Sequence, residues 1–340
     1  MTIITGRERM EAIFSGGADR CGFWHGNPHG DSKPIYYPAF GVEDDLGLSV
    51  ALQDDFVWIN ADTAWTFPAG KPMFDVLGGH ERVSLNQDGV FAEATSVAQV
   101  DAFAWPDPAD LDFGGVMAQL DRARAHGLYV LSGMWSPFFH VVADFFGMEN
   151  YFVKMYTDPA VVDAVTAHVV GFYLAANELF FAQAGGRVDA FFFGNDFGSQ
   201  LDMLISPRLF ERFVLPSFRR FTAQGKSHGC KVVLHSCGAI ERTIPALLDA
   251  GVDALHPLQA LAKGMDAETL ARKYRGDVVF IGGVDTQQLL PFGTPDQVRA
   301  EVRRLRQVFG PQFVVSPSHE ALLPNVSVAN LKAMAEAAQE

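Results

Sequence analysis

The sequence predicts a (β/α)8 TIM barrel, an α/β fold in which eight parallel strands close on themselves inside a ring of helices. Three observations predict it. Eight short apolar runs lack the in/out alternation of a half-exposed sheet, helix start signals lie between them, and each run ends in polar or glycine residues. The runs are CGFWH (21–25), DFVWI (55–59), YVLSG (129–133), VDAFFF (188–193), KVVLH (231–235), VDALH (252–256), VVFIG (278–282) and QFVVS (312–316).

The segments between them read as helices. Asp158-Pro159, Ser206-Pro207 and Thr294-Pro295 each offer an N-cap followed by proline at the first helical position. From Thr294 the pattern puts Val298, Val302, Leu305 and Val308 on one face and stops at Gly310. Residues 238–250 read as a helix kinked at Pro245, and Ser327 caps a last helix with Leu331 and Met334 turned inward. The gap at 60–128 reads as an excursion from the barrel, in which VSL and VFAEA flank Gln87-Asp88-Gly89 as a hairpin. No linker-like or low-complexity tract divides the chain, so 1–340 is read as one domain. A doubly wound open sheet is the alternative, and the strand count disfavours it.

Composition excludes several function classes. With 340 residues, 49% of them hydrophobic and 19% charged, the chain can bury a large core. A net charge of −14 and the absence of a basic run disfavour nucleic acid and anionic membrane surfaces as partners. The apolar stretch VVGFYLAANELFF is broken by Asn177 and Glu178 and reads as a buried helix, too short and too polar to span a bilayer. Cys21, Cys230 and Cys237 cannot form a disulfide framework, and MTIITGRERMEAIF lacks the apolar core of a signal peptide; both fit a cytoplasmic protein. Phe is over-represented, 29 against 7 Tyr, which calls for deep packing or an aromatic-lined pocket.

In a (β/α)8 barrel the chemistry sits at the C-terminal ends of the strands. Those ends carry Trp24-His25-Gly26-Asn27, Asn60-Ala61-Asp62, Ser132 to Trp135, Gly194-Asn195-Asp196, His235-Ser236-Cys237-Gly238, His256-Pro257-Leu258-Gln259, Gly282 to Asp285, and Ser316 to His319-Glu320. His235 and Cys237 stand two residues apart, so an imidazole and a thiolate leave the strand in the same direction and could grip one zinc ion. The eighth strand returns to the same rim, where His319 or Glu320 could supply a third ligand. Asp196 follows a run of apolar residues and suits a general acid/base, a ligand for a cationic group, a carboxylate that orients a histidine, or simply a helix cap. No GxGxxG, P-loop or GxSxG pattern occurs, which leaves dinucleotide, nucleotide and serine-hydrolase chemistry unsupported.

Several separated motifs resemble the uroporphyrinogen decarboxylase superfamily. They are His235-Ser236-Cys237-Gly238, Gly194 to Gln200 with Ile205-Ser206-Pro207, Gly282 to Gln287 with Leu290 to Pro295, and Ser316 to His319 running on to Asn330. The resemblance is best over 130–340 and implies the same barrel. True uroporphyrinogen decarboxylases use no metal and carry an arginine-bearing N-terminal motif that meets substrate carboxylates. Here that region reads Cys21-Gly-Phe-Trp-His-Gly-Asn-Pro28, without arginine, so nothing in it clamps a polyanionic tetrapyrrole.

The zinc-dependent corrinoid methyltransferase branch is the nearer likeness. Its His-x-Cys motif matches His235 and Cys237, and its third ligand position falls on His319, where that branch has cysteine. One thiolate and two neutral imidazoles leave zinc with a formal +1 charge, which favours polarising an ether or alcohol oxygen over making a substrate thiolate. The resemblance thus implies a methyltransferase or demethylase acting on a small methoxylated, hydroxylated or methylated substrate, with a corrinoid, or a corrinoid protein as partner, giving or taking the methyl group; homodimerisation follows by the same analogy. Asp196 and His256 are its candidate catalytic residues, and His25, Asn27, Trp135, Asn195, Gln259 and Asp285 its candidate substrate contacts. A metal-free carboxy-lyase and a non-catalytic binding protein of the same fold are the alternatives.

Overall fold

The computed structural model describes residues 4–84 and 86–340. All eight predicted strands form: β1 Gly22–Phe23, β2 Phe56–Asn60, β3 Tyr129–Gly133, β4 Ala190–Gly194, β5 Lys231–His235, β6 Ala254–Leu258, β7 Val279–Val284 and β8 Phe313–Pro317. Every ladder is parallel, in the order β1-β8-β7-β6-β5-β4-β3-β2. Most strand residues are buried, as expected of strands covered on both faces.

The ring closes weakly between β1 and β2. Asp55 N–H donates to Phe23 O (2.9 Å), and the Asp55 carboxylate accepts Phe23 N–H (2.9 Å). Two residues further, past the end of β1, side chains take over, because His25 N–H donates to the carboxylate of Asp54 (3.0 Å).

Two cores result. Inside the barrel, Trp24, Phe56, Tyr129, Leu131, Phe192, Val233, Ile281 and Val314 pack together, and Met10 and Ile13 of the helix Gly6–Ser15 join the same cluster. Between strands and helices lies a larger core, where Phe181 and Phe193 flank Phe191 and where Phe193 meets Phe218 and Phe221. Strand alternation therefore divides Phe191 to Phe193: only Phe192 faces the barrel interior. The surplus of Phe is mainly packing.

Other expectations need correction. Residues 80–95 form turns, not a hairpin, among the described residues, and Leu85 of that expectation lies outside them. Phe91 N–H donates to Phe145 O (2.8 Å) and Val90 N–H to Val76 O (3.0 Å), so the backbone finds tertiary partners instead of a cross-strand one. The excursion is also shorter than 60–128, because Gly114–Ala125 packs on β2 and β3 as an ordinary barrel helix. Pro245 does not kink a long helix; it lies in the first turn of the short helix Ile244–Asp249, where its missing N–H costs nothing. The stretch around VVGFYLAANELFF belongs to a 26-residue helix, Pro159–Ala184, long and apolar enough by itself to cross a bilayer. That helix packs one face into the fold, with Asn177 fully buried and accepting Met134 N–H (2.9 Å).

Candidate functional site

Alternation along β5 and β6 turns Val233 and His235, and Ala254 and His256, toward the barrel interior, and the ladder sets His235 opposite His256. The two rings meet with Nδ1 atoms 3.0 Å apart. Trp135 stands edge-on to His235 (centroids 5.0 Å), and Phe192 and Trp24 flank His256 (5.5 and 5.4 Å). Gly194 makes room for Trp135, since a Cβ there would stand 2.0 Å from the indole ring.

The loops after β4 and β5 are locked together. Ala239 N–H donates to Ser199 O (2.7 Å), and a Cβ on Gly238 (φ +86°) would stand 2.3 Å from Gly198 O. This contact carries Asp196 to Cys237, whose backbone N–H donates to Asp196 Oδ1 (2.8 Å). The same oxygen lies 3.4 Å from His235 Nε2, and Cys237 Sγ lies 3.4 Å from that nitrogen. The ligand atoms of Asp196, His235 and Cys237 all fall within 4.8 Å of one another, as do those of His235, His256 and Glu320.

His235 is thus shared by two clusters, with Nε2 facing the thiol and Nδ1 facing His256 and Glu320. Glu320 Oε2 is buried without a hydrogen-bond partner, 3.6 Å from His235 Nδ1 and 3.4 Å from His319 Nδ1. His319 Nδ1 also accepts Ala321 N–H (3.2 Å).

The charges are polarised accordingly. Burial opposes a cationic His235, but Asp196, Cys237 and Glu320 outweigh it and hold its basicity well above the ordinary imidazole range. His256 is driven the other way by burial and by His235, and stays neutral. Burial pushes the Asp196 carboxyl up, yet the hydrogen bond and charge of His235 bring it well below the usual carboxylate range. An ionised Asp196 is better suited to orient or ligate than to donate a proton. A hydrogen bond to Cys237 raises His319 against its burial.

The other expected residues separate by geometry. Trp135 forms part of the wall. Gln259 Oε1 accepts Gly238 N–H (2.6 Å) and borders, with His319, a cavity of about 470 Å³ at the rim. Asn195 is fully engaged in structure, its Oδ1 accepting Phe139 N–H (2.9 Å) and its Nδ2 donating to Ser136 O (3.1 Å). Asp285 accepts the N–H groups of Gln287, Gln288 and Leu289 and is a turn cap. Both fit substrate contact poorly, because their acceptors are spent on backbone. His25 and Asn27 line a different cavity, at the β1/β2 seam.

Three further groups gain specific partners only in the fold. His140 Nε2 accepts Asp196 N–H (3.0 Å), a pairing that needs the fold, and Trp58 packs on Trp135 (4.7 Å). Asp62, at the end of β2, accepts Trp135 N–H (2.9 Å). Burial raises its carboxyl from 3.8 to about 6, against the pull of that N–H. The folded chain then binds this proton more tightly than the unfolded chain, so the carboxyl's contribution to stability is present below about pH 4 and lost as pH rises through about 6. Asp62→Asn keeps an acceptor for Trp135, and it is expected to leave stability unchanged near pH 4 but to add about 1–2 kcal/mol at pH 7.5. Urea melts at the two pH values measure the difference, and equal effects at both would refute the assignment.

Residues 77–340, more than three-quarters of the chain, match the family model described as Uroporphyrinogen decarboxylase (URO-D). The chain belongs to the URO-D family. Within the URO-D family it is methyltransferase-like. A methylated-thiol–coenzyme M methyltransferase of Methanosarcina mazei is 28% identical over 207 residues, which are 58% of this chain and 52% of that protein. The chain thus spans about half the length of the curated relative it matches. A solved structure, a methyltransferase from Methanosarcina mazei, superimposes with a TM-score of 0.71 at 16% identity over 99% of both chains. That likeness shows the barrel fold.

Proposed function

We propose that this chain is a zinc-dependent methyltransferase or demethylase acting on a small methoxylated, hydroxylated or methylated molecule, with a corrinoid as methyl donor or acceptor. The observation that carries the reading is the unpartnered Glu320 Oε2 between His235 Nδ1 and His319 Nδ1. A carboxylate that takes the Nδ1 proton of His235 would free that ring's Nε2 lone pair for a metal, the usual way a carboxylate fixes a ligating histidine. Its charge would favour the same arrangement at His319 once Nδ1 gives up the N–H of Ala321. Cys237 Sγ already lies on the Nε2 side of His235. The donor set of His235, Cys237 and His319 fits zinc by chemistry, with Asp196 beside it as a fourth candidate.

Zinc held there would supply Lewis acidity toward an ether or alcohol oxygen. Asp196 would fix the Cys237 backbone and the His235 ring, and neutral His256 would offer a proton-carrying nitrogen to the substrate. Trp135, Trp58 and Phe192 would keep water from the reacting atoms. For the corrinoid partner, exposed apolar side chains stand on the loops after four strands: Leu201, Leu261, Phe292 and Leu323. They offer a carrier protein an apolar surface at the barrel's catalytic face. We place the enzyme in the cytoplasm, in keeping with its three free thiols. The test is zinc content after purification without added metal. Zinc-free protein whose Cys237→Ala variant behaves like the wild type would discard this reading in favour of a carboxy-lyase or a binding protein.

A further inference from the structure

The seam between β1 and β2 holds a cavity of about 190 Å³. Its walls are Trp24, His25, Asn27 and Pro28 from the β1 side, Val57, Trp58 and Ile59 from β2, and residues of the helices Asp45–Leu52 and Gly114–Ala125. An Asp44–Arg122 ion pair (2.6 Å) stands at its rim. None of Asp196, His235, Cys237, His256, His319 or Glu320 lines it; Trp24 intervenes, packed on His256.

Two buried polar atoms in this wall have no hydrogen-bond partner, His25 Nε2 and Trp58 Nε1. His25 is 1% exposed, and its other ring nitrogen is 2.6 Å from Asp54 Oδ2. A second Asp54 oxygen accepts His25 N–H, so ring and carboxylate are held at two points. With its Nδ1–H given to Asp54, His25 presents a lone pair at Nε2, whereas Trp58 presents an N–H, which can only donate. Leaving both unpaired is costly in a buried apolar site. A hydroxyl group is the simplest chemistry that answers both, giving its proton to His25 and accepting from Trp58. Trp24, Val57, Trp58 and Ile59 supply an apolar side with two indoles, which suits a small hydrophobic body, while Asn27, Ser49, Gln119 and the Asp44–Arg122 pair line the rest.

We infer that the β1/β2 seam is a binding site for a small apolar molecule bearing a hydroxyl group, a phenol or a comparable alcohol, held by the Asp54-oriented His25 and by Trp58. Because Trp24 separates it from the His235 cluster, this binding site does not rest on the reaction proposed above.

The probes are phenol and anisole, which share the ring while anisole lacks the O–H. Ligand-observed NMR titrations are run on wild type, His25→Ala and Trp58→Phe, each with and without chelator treatment. Phenol is expected to saturate and to bind wild type at least about tenfold more tightly than anisole, because anisole leaves His25 Nε2 without a proton to accept. His25→Ala is expected to lose about tenfold or more for phenol and little for anisole. Trp58→Phe is expected to weaken both probes, since the ether oxygen also accepts from the indole N–H, each variant with zinc content equal to wild type. Trp58→Phe keeps a ring in place and guards against a folding defect in His25→Ala. Equal affinity for the two probes, no saturable phenol binding, or wild-type selectivity in His25→Ala would overturn the inference. A zinc-free wild type that still selects phenol would refute the metal reading and leave this one standing.

Discussion

Cys237→Ala is expected to strip the protein of zinc. Wild type purified without added metal should carry about one zinc per chain, measured by plasma mass spectrometry, as a structural or catalytic site with at least three protein ligands retains it. Removing the only thiolate in the cluster takes away its softest and only anionic sulfur donor, and affinity should fall by more than the roughly 10–100-fold typical of losing an orienting neighbour. Glu320→Gln tests the orienting neighbour itself. It should weaken binding by about 10–100-fold, because a neutral amide oxygen takes the His235 Nδ1 proton less strongly than a carboxylate and leaves the ligating tautomer less fixed. Cys230→Ala is the control, since Cys230 is a free, buried thiol packed in the outer core. If the Cys230 and Cys237 variants retain equal zinc, the metal is held elsewhere.

Phe145→Ala is expected to be the most destabilising core change, costing about 3–5 kcal/mol. Phe145 is fully buried in the helix Phe138–Phe146 and meets Phe74, Phe91, Phe103 and Trp105 at centroid distances of 6.1, 5.3, 5.5 and 5.1 Å. Those four belong to the excursion after β2, so this ring ties it to the helix Phe138–Phe146, beside the packing of Phe74 on Phe172 and of Trp105 on His168. We propose that excursion and barrel form one cooperative unit, in which case urea unfolding keeps a single transition and its midpoint falls. An early separate step with the barrel midpoint unmoved would instead identify the excursion as its own domain. Phe292→Ala, at a side chain 73% exposed, should stay within about 0.5 kcal/mol of wild type.

How far the sequence could be read depended on whether the signal was local. The strands were legible because burial on both faces writes a continuous apolar run. The helix from Thr294 was legible because its cap, its initial proline and its final glycine all lie within the segment. The hairpin misled for the same reason. Gln87-Asp88-Gly89 is a sound local turn signal, but a Cβ on Gly89 would stand 2.2 Å from Asp144 O, and docking there takes the hydrogen bonds a partner strand would have used. Asn195 and Asp285 looked available because strand ends are where chemistry collects; only the fold shows their oxygens committed to backbone N–H groups.

By itself the sequence determined the barrel, the rim on which polar groups gather, and the adjacency of His235 and Cys237, because each follows from spacing along one strand. The meeting of Asp196 with Cys237, the place of Glu320 between two imidazoles, and the pairing of His25 with Asp54 were decided by tertiary structure. Each joins segments 29 to 85 residues apart, brought together by the closing of the ring and by the glycine crossing of two loops. Periodicity reports which way a side chain leaves its own strand; the side chain it then meets is set by how the strands close.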